Sequence, residues 1–588
     1  MLEELVKAGK LPPVEERLPK EPMVLSVLEE IGQYGGTWDT AVTGMADMRG
    51  ATSYMLETWV RWNPDCSEWE PSVAKKVEVS EDGTEWTFYM REGMKWSDGE
   101  PFTADDIMFW YEDVILNDEL TPSKPSWMKT GGELGVVEKV DDYTVKFKFS
   151  KPHGMFPLLL AFVWGANGGI GYPAHYLKQF HPKYVKKEDL DQMVKDAGVE
   201  NWTQLFAKKV ERRENPDIPS IAAWKLIELG PPFIWERNPY FYKVDPEGNQ
   251  LPYIDRVRYL VVEDKQMISM KAVAGELTHQ ARNISFSDMP LYMDNREKGD
   301  YRVIKSPTVL TGAIVYPNQN LRGDDVLRDI IRDVRFRKAL NLAIKRDEIN
   351  ELVYLGESGP IEDVFPGLEP EYFEHLKYDP EQAKALLDEM GLEVGPDGYR
   401  MRPDGKQLVI KIDTMAGYMD PIQLIASYWE EIGLKVAPEE VSYDLWWPRI
   451  NSWEYAFSGY TMSAYPGLSR LIYMLWFEPV SSSTYWAPAW GMYFQSEGQQ
   501  GDPPEGDAAK MIEIHREIEV TIDPAKQQEL INEIMRLYLK NAYTVLTTGY
   551  IPGITIVKNQ MRNVPDPVTF CILHDNDSWA EQYFIKQA

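Results

Sequence analysis

Residues 71–113 alternate between short strand patterns and a helix-start pattern, and this order constrains the fold more than any other feature. In 77–79 and 86–90, apolar side chains occupy every second position, as in half-buried strands. Asp82-Gly83 and Asp98-Gly99 are turn signals. Thr103 then precedes two aspartates, which is the pattern of a helix N-cap followed by an acidic first turn. The segment predicts a mixed α/β fold.

The same succession of short strands and amphipathic helices continues along the chain. Further strands are predicted at 37–43, 136–149 (a hairpin), 257–262 and 408–412. Helices are predicted at 334–344, 348–355, 380–387 and 421–432, and at 507–542 with a break at Asp523-Pro524. No Gly/Ser-rich linker and no internal repeat separates these elements, so we expect interwoven domains.

The chain is too long for a single hydrophobic core. Its 588 residues exceed the roughly 250–300 at which one core stops growing, so we expect two lobes and three compact units. It carries 93 acidic and 62 basic residues, a formal net charge of −31, which repels phosphate backbones and anionic lipid headgroups. These charges exclude nucleic acid and membrane surfaces as the main partners.

The sequence leaves the cellular compartment open. No apolar run reaches the roughly 18 residues that a membrane-spanning helix needs. The first residues are polar and charged and lack a signal-peptide pattern, which fits either a cytoplasmic protein or a secreted one whose leader was removed. Cys66 and Cys571 form one disulfide in an oxidising compartment or remain two buried thiols.

No motif for catalysis, cofactor binding or metal binding is present in the sequence. P-loop, G-x-S-x-G and H-E-x-x-H patterns are missing, and the glycine-rich loop 165–171 lacks dinucleotide-binding spacing. The loop 245–249 misses the EF-hand pattern, so we interpret it as a structural turn. A glycoside hydrolase is the remote enzyme alternative, but no acid-rich motif marks the pair of carboxylates that it needs. We expect no enzyme activity, no cofactor and no metal.

Six sequence blocks occur in a fixed order. They are VEVSEDGTEWTFYMREGMKWSDGEPFTADDIMF at 77–109, VEKVDDYTVKFKFSKP at 137–152, RNPYFYKVDPEGNQLPYIDRV at 237–257, VRFRKALNLAIKRDEINELVYLG at 334–356, YDPEQAKALLDEMGL at 378–392 and YWEEIGLKV at 428–436. Together they resemble the family 5 extracellular solute-binding proteins, the peptide- and oligosaccharide-binding subunits of bacterial ABC importers. The resemblance extends from about residue 35 to about residue 550. The opening KAGKLPPVEERLP and the loop 237–257 are similar to longer members associated with sugar uptake.

The resemblance implies an α/β, bilobal periplasmic-binding-protein fold of the large type II, cluster C kind, with mixed sheets flanked by helices. Domain I would comprise 1–60, 175–300 and 535–588, domain II the insert 61–174, and domain III 301–534. The ligand would lie in a cleft between domains I and III and be trapped by hinge closure. The resemblance also implies an extracytoplasmic monomer, with or without a lipid anchor, that delivers its ligand to ABC permease subunits.

In peptide-binding members of this family, an aromatic segment with a glycine precedes an acidic residue that pairs with the peptide ammonium. Residues 453–465 match this segment through Gly459 and Tyr460, but the expected carboxylate position falls near Ser463, and no acid follows until Glu478. A buried ammonium without a counter-charge is unfavourable by several kcal/mol. The departure favours a neutral ligand rich in hydroxyls, a di- to pentasaccharide. An oligopeptide is the alternative, with nickel chelates or opines as further solutes.

Aromatic and hydrogen-bonding side chains around this segment are the candidate ligand contacts. Indole and phenol rings stack on the apolar faces of sugars, while Arg, Ser and Thr donate hydrogen bonds. Of the adjacent Trp446 and Trp447, we expect at most one to face the ligand. The predicted ligand-binding residues are Trp38, Trp127, Trp446, Trp447, Arg449, Gly459, Tyr460, Thr461, Ser463, Tyr465, Trp486 and Trp490.

Overall fold

The structure is a computed structural model that describes residues 1–51, 56–63, 68–162, 168–568 and 578–587. The chain forms two compact units, Met1–Ser306 with Gly553–Ala588, and Pro307–Pro552. The five-segment domain division drawn from the resemblance stays a prediction. Cys66 and Cys571 lie outside the described residues.

The first unit contains most of the strands. Its strands up to the boundary are β1 (Met23–Val24), β2 (Thr37–Val42), β3 (Val60–Trp62), β4 (Trp69–Pro71), β5 (Ala74–Val79), β6 (Glu85–Met90), β7 (Lys129–Thr130), β8 (Glu133–Leu134), β9 (Val136–Asp141), β10 (Thr144–Lys148), β11 (Trp224–Glu228), β12 (Phe233–Arg237), β13 (Lys243–Val244), β14 (Arg256–Val261), β15 (His279–Gln280) and β16 (Tyr301–Thr311). Its helices are α1 (Leu2–Lys7), α2 (Val14–Arg17), α3 (Met45–Ala51), α4 (Ala104–Phe109), α5 (Phe156–Leu160), α6 (Ala174–Leu177), α7 (Lys187–Asp196), α8 (Trp202–Val210), α9 (Lys265–Val273) and α10 (Met289–Gly299).

Two four-stranded sheets organise this unit. One has the order β5-β6-β10-β9 and is antiparallel throughout. Its alternating pattern buries Trp86, Phe88 and Phe147 on one face, where the Phe88 and Phe147 rings are 5.5 Å apart. The other has the order β11-β12-β14-β2, and β14 and β2 are parallel. Both sheets place their buried aromatic side chains in the core, as the period of two predicts.

The second unit is built around one mixed sheet and a helical layer. Its strands are β17 (Ile314–Pro317), β18 (Val409–Thr414), β19 (Lys435–Glu440) and β20 (Phe457–Tyr460), and β21 (Tyr550–Lys558) begins in this unit and continues in the first. Its helices are α11 (Asp325–Arg332), α12 (Val334–Leu342), α13 (Arg346–Tyr354), α14 (Pro380–Glu389), α15 (Met419–Glu431), α16 (Tyr443–Ser452), α17 (Pro488–Gln495), α18 (Gly506–Val520) and α19 (Pro524–Lys540). The sheet order is β17-β20-β18-β19. Phe336, Leu340, Trp429 and Phe457 lie fully buried in the core between the sheet and the helices.

The chain passes between the two units within two strands. The first boundary, after Ser306, falls within β16, and the second, after Pro552, falls within β21. The last residues then complete the first unit, where β22 (Met561–Arg562) pairs with β23 (Phe584–Ile585). In the same unit, the buried carboxylate of Glu581 lies 2.8 Å from Lys243 Nζ and 3.4 Å from Arg61 Nη1. The C-terminal segment is therefore part of the core of the first unit.

The local signals in the sequence predict the helix starts well. The Thr103 side chain accepts a hydrogen bond from the Asp105 amide, and the Asp106 carboxylate accepts one from the Thr103 amide, so α4 begins with the capping box of this motif. The predicted break at Asp523-Pro524 separates α18 from α19. Beyond Phe109, helix α4 continues as a π-helical turn, Trp110–Ile115.

Candidate functional site

The predicted ligand-contacting segment, 459–465, begins within the sheet of the second unit. It starts on β20, which lies between β17 and β18. Beyond β20, the Thr311 amide donates to the Met462 carbonyl at 3.0 Å, and the Ala464 amide donates to the Val309 carbonyl at 2.7 Å. Main-chain pairing therefore continues past the end of the strand and fixes the direction of each side chain in the segment.

Gly459 is required by close packing at the centre of the sheet. A Cβ atom at this position would lie 2.7 Å from Ile422 Cδ1 and 3.0 Å from Thr414 Oγ1. The Thr414 hydroxyl donates to the Gly459 carbonyl at 2.9 Å. The glycine matched to the family segment thus has a packing role, which lets β18 and α15 approach β20.

Tyr460, the next residue, is the centre of an aromatic cluster formed by Tyr418, Trp446, Tyr460, Trp476 and Tyr485. Its ring stacks on Trp476 with centroids 6.2 Å apart and an interplanar angle of 22°. The rings of Tyr418, Trp446 and Tyr485 lie 5.1, 5.2 and 6.0 Å from it. Trp446, Trp476 and Tyr485 are buried, whereas Tyr418 and Tyr460 are partly exposed. The cluster therefore contains two partly exposed tyrosines, Tyr418 and Tyr460, packed on three buried rings.

The two adjacent tryptophans of α16 differ in their surroundings. Trp446 is 1% exposed, and its indole N–H donates to the Ser458 hydroxyl at 3.0 Å. Trp447 is partly exposed, and its ring lies 5.9 Å from that of Trp446. If one of the pair contacts a ligand, its exposure favours Trp447.

The hydroxyl groups of the segment make contacts within the unit. Thr461 Oγ1 donates to the Thr311 carbonyl at 2.7 Å. Ser463 is buried and forms an isolated β-bridge with Leu310. The Tyr465 ring is also buried and lies 5.2 Å from the ring of Tyr473. For these three residues, contact with a ligand stays a prediction.

The arginine predicted as a ligand donor is paired with acids. Arg449 Nη1 lies 2.9 Å from Asp413 Oδ2, and Nη2 lies 3.2 Å from Glu439 Oε1. The hydrogen bond with Asp413 raises the pKa of Arg449 above its usual range. Asp413 on β18 lies opposite Ser458 on β20, next to the predicted ligand-contacting segment. The Arg449 guanidinium therefore neutralises the acid that is beside this segment.

Trp486 and Trp490 lie in the hydrophobic core rather than in the aromatic cluster. Trp486 is fully buried and stacks on Tyr543, with centroids 4.2 Å apart at 19°. Its indole N–H donates to the Trp476 carbonyl at 3.2 Å, which joins this part of the core to the cluster. Trp490 is 5% exposed and lies edge-on to Trp486 at 6.4 Å.

Trp38 and Trp127 both belong to the first unit, where they lie in different surroundings. Trp38 is fully buried on β2, 5.0 Å from the His279 ring, so its present surroundings are those of a core side chain. Trp127 is partly exposed and stacks on the buried Trp110, with centroids 6.0 Å apart at 9°. Trp127 thus has the geometry of an aromatic platform, and its contact with a ligand stays a prediction.

Sequence reasoning missed Tyr418 and Tyr485. Tyr418 precedes α15, and Tyr485 lies before α17, each far from Tyr460 along the chain. No local pattern marks either residue. The sheet order places β18, which precedes Tyr418, beside β20, and Tyr485 joins the cluster by packing against Trp446, Tyr460 and Trp476.

The described residues contain no group of three or more His, Cys, Asp or Glu side chains with the geometry of a metal site. In the loop 245–249, the Asp245 carboxylate accepts hydrogen bonds from the Glu247 and Asn249 amides and from the Asn249 side chain. This carboxylate is therefore used to close a structural turn, as predicted. Among the described residues, no helix has the length and apolar character needed to cross a membrane.

Named proteins similar to this chain are binding proteins for sugars and peptides. The periplasmic alpha-galactoside-binding protein of Rhizobium meliloti (strain 1021) is 27% identical over 100% of this chain and 86% of its own length. The dipeptide-binding protein of Escherichia coli (strain K12) is 25% identical over 55% of each chain.

Solved structures confirm the predicted mixed α/β fold of periplasmic binding proteins. An oligopeptide-binding protein OppA superposes with a TM-score of 0.79 at 36% identity, covering 100% of this chain and 96% of its own. MelB, a periplasmic binding protein from Agrobacterium fabrum C58 solved in complex with stachyose, superposes with a TM-score of 0.72 at 24% identity, covering 99% and 90%.

The profile of the bacterial extracellular solute-binding proteins, family 5 Middle, matches residues 68–482, which is most of the chain. The order of the six sequence blocks, the fold and the named relatives agree with this match. The chain belongs to family 5 of the bacterial extracellular solute-binding proteins.

Proposed function

We propose that the protein captures an oligosaccharide of two to five sugar units outside the cytoplasm and delivers it to the membrane permease of an ABC importer. The observation that carries this proposal is the similarity, along the whole chain, to a relative named as an alpha-galactoside-binding protein. Alpha-galactosides are neutral and rich in hydroxyl groups, which is the ligand chemistry that the sequence favours.

The composition of the site supports a neutral ligand. The aromatic cluster contains the partly exposed residues Tyr418 and Tyr460, and tyrosine rings stack on the apolar faces of sugars. Residues 459–465 contain no carboxylate. Glu478, the first acid after them, is fully buried and pairs with His515, so its charge is already compensated.

An oligopeptide is the second candidate ligand. It is favoured by the 36% identity to a solved protein named as oligopeptide-binding. A peptide ammonium needs a carboxylate partner, and Asp413 on β18 is the acid opposite Ser458. Since Arg449 pairs with Asp413, a peptide would have to compete with an existing ion pair.

We propose that binding and release, without any bond chemistry, are the whole of its action. The family and the named relatives are binding proteins. A glycoside hydrolase would need two carboxylates about 5–9 Å apart across a sugar bond. We further propose that the protein acts as a monomer. Hinge closure, implied by the resemblance, stays a prediction.

A thermal-unfolding screen of the purified protein tests the ligand class. One panel contains melibiose, raffinose, stachyose and cello-, xylo-, manno- and malto-oligosaccharides, and the other contains di- to hexapeptides. A ligand at 100 times its Kd adds about 2.7 kcal/mol to the stability of the folded state, so a hit raises the Tm. Stabilisation by sugars alone supports the proposal. Stabilisation by peptides alone overturns it in favour of the second candidate.

A further inference from the structure

Glu478 and His515 form a buried ionic contact in the second unit. Glu478 follows Trp476 by two residues, and His515 lies on α18. His515 Nδ1 is 2.5 Å from Glu478 Oε1, and the two residues are 6% and 0% exposed. The charged groups around the pair are Glu519, whose Oε1 lies 3.9 Å from His515 Nε2, and Arg516, both on α18.

This pair is not explained by stability alone. The second carboxylate oxygen of Glu478 is buried and has no hydrogen-bond partner among the described residues. Removing a carboxylate from water without satisfying both oxygens is costly, and a buried ion pair is often no more stabilising than apolar side chains of the same size. The presence of a glutamate and a histidine at these buried positions therefore indicates a role other than stabilising the core.

Glu478 lies at the base of a loop, 477–487, which we call the aromatic loop. The Thr484 hydroxyl donates to the Glu478 carbonyl at 3.2 Å and closes the loop on itself. The Tyr485 ring, near its end, packs edge-on against Trp476 with centroids 5.2 Å apart. Two members of the aromatic cluster, Trp476 and Tyr485, thus flank the residue that His515 holds.

A second helix holds the outer part of the same loop. Gly491 on α17 approaches the main chain of Ser481 so closely that a Cβ atom on Gly491 would lie 1.8 Å from the Ser481 carbonyl oxygen. The indole N–H of Trp486 donates to the Trp476 carbonyl at 3.2 Å and links the end of the loop to its start. The loop is therefore attached to α17 by packing at its tip and to α18 by the Glu478–His515 contact. Near its end, the Tyr455 hydroxyl donates to the Tyr485 carbonyl and the Gln319 amide donates to the Trp486 carbonyl at 2.7 Å.

We infer that Glu478 and His515 are positioning residues that set the aromatic loop, and with it Trp476 and Tyr485, in the geometry that the sugar site requires. The inference rests on the proposed function, since it assigns the cluster to ligand binding. The pair does not touch the ligand itself. The pair acts through the loop. Its loss should therefore change the orientation of the Trp476 and Tyr485 rings and leave the secondary structure unchanged.

The first test needs no ligand. Glu478→Ala and His515→Ala are compared with the wild type by far-UV and near-UV circular dichroism. We expect an unchanged far-UV spectrum and a reduced near-UV signal, because Trp476 and Tyr485 lose their fixed orientation. Lys510→Ala is the matched control, since Lys510 is on the same helix but forms an exposed ion pair with Glu533. It should leave both spectra unchanged.

The second test measures binding of stachyose by titration calorimetry. We expect both alanine variants to raise the Kd about tenfold, a factor that corresponds to about 1.4 kcal/mol. Glu478→Gln should stay within about threefold of wild type near neutral pH, because a glutamine oxygen still accepts the hydrogen bond from neutral His515. Between about pH 6 and 9, the wild-type affinity should fall, because loss of the imidazolium leaves the buried Glu478 carboxylate without a counter-charge. Glu478→Gln has no carboxylate to compensate, so its affinity should stay flat.

The outcomes separate the inference from the proposed function. If wild type binds none of the sugars, the proposed function fails, and the near-UV spectra still decide whether the pair positions the rings. If the alanine variants fold with wild-type spectra and a wild-type stachyose Kd, the positioning role is wrong. If they do not fold, the pH profile of Glu478→Gln decides, and a profile parallel to that of wild type overturns the inference.

Discussion

The ring of Tyr460 stacks on that of Trp476, with centroids 6.2 Å apart and planes 22° from parallel. Trp476 is buried and Tyr460 is partly exposed, so the Tyr460 ring is supported by a ring of the core. A supported ring loses little conformational freedom when a ligand stacks on it, and pre-organisation of this kind increases affinity.

Replacing Tyr460 by alanine should weaken sugar binding without unfolding the protein. Loss of one stacking ring should remove about 1–2 kcal/mol, or roughly tenfold in Kd, by analogy with other aromatic contacts. Titration calorimetry with stachyose measures the change. Tyr460→Phe keeps the ring and is the matched control. Equal affinities of the alanine variant and wild type would show that the cluster is not the binding surface.

Gly491→Ala should destabilise the second unit strongly. The new methyl group would lie 1.8 Å from the Ser481 carbonyl oxygen and 2.4 Å from its carbon, both of which belong to the main chain and cannot move aside cheaply. We expect a loss of about 1–3 kcal/mol, as in other overpacked sites. Gly417→Ala is the control, because nothing lies within 4 Å of a Cβ atom there. The urea midpoints of the two variants give the comparison, and equal midpoints would contradict the prediction.

Thr103→Ala should destabilise the first unit by about 1 kcal/mol, because α4 loses its N-cap. Thr103 accepts from the Asp105 amide, and its own amide donates to Asp106 at 3.0 Å. Thr103→Ser retains the hydroxyl and should be close to wild type. Chemical denaturation of wild type and the two variants measures the free energy of unfolding. If the alanine variant is as stable as the serine variant, the Thr103 hydroxyl does not stabilise α4 as an N-cap.

Lys243→Met should strongly lower the free energy of unfolding of the first unit. Lys243 Nζ lies 2.8 Å from Glu581 and 3.2 Å from Glu57, and all three side chains are buried. Burial by itself raises the pKa of Glu581, but Lys243 and Arg61 lower it overall. Removing the cation leaves carboxylates uncompensated, which costs about 3–5 kcal/mol in such sites.

The double variant Lys243→Met with Glu581→Gln should recover part of this stability, because it removes a carboxylate together with its partner. Thermal unfolding of the single and double variants tests the coupling. If the double variant has a lower Tm than Lys243→Met alone, the carboxylate–ammonium contact is not what stabilises the C-terminal segment.

The stability of the second unit should fall as pH rises above 6.5, and less steeply in His515→Gln. Burial alone lowers the pKa of His515, but Glu478 raises it overall above 6.5. A group with a raised folded-state pKa contributes stability that is complete below its unfolded pKa and is lost as pH rises through the folded pKa. Burial also raises the pKa of Glu478, which gives a loss in the same direction above 4.5.

Thermal unfolding of wild type and His515→Gln between about pH 6 and 9 measures this effect, because the titration of groups that do not contact His515 cancels in the difference. We expect the gap between the two Tm values to narrow as pH rises. Parallel curves would mean that His515 does not keep its proton longer in the folded protein than in the unfolded chain.

Local patterns in the sequence predict elements whose signals are contiguous. Thr103 and its following aspartates mark the start of α4, and Asp523 marks the start of α19. The period of two along 86–90 predicts β6 and its buried face. In each case, the residues that determine the structure are neighbours along the chain.

The chemistry of the site depends on contacts that no local pattern carries. Arg449 suits a ligand contact by its residue type, but the parallel pairing of β18 with β20 places Asp413 within its reach. Trp486 occurs among aromatic residues that suit a cleft, yet it stacks on Tyr543 in the core. Residue type therefore indicates what a side chain can do, whereas the sheet order decides which partner it has.

The chain enters and leaves the second unit within β16 and β21, and this order has a consequence for synthesis on the ribosome. The second unit is complete in sequence once Pro552 has been made, whereas the first unit still lacks β23 and Glu581. Lys243 and Arg61 therefore lack the carboxylate of Glu581 until that residue has been made. A domain whose sequence is interrupted by another domain has an incomplete core while the second one is being made, so a nascent chain of this protein should need protection by chaperones until β23 and Glu581 have been made.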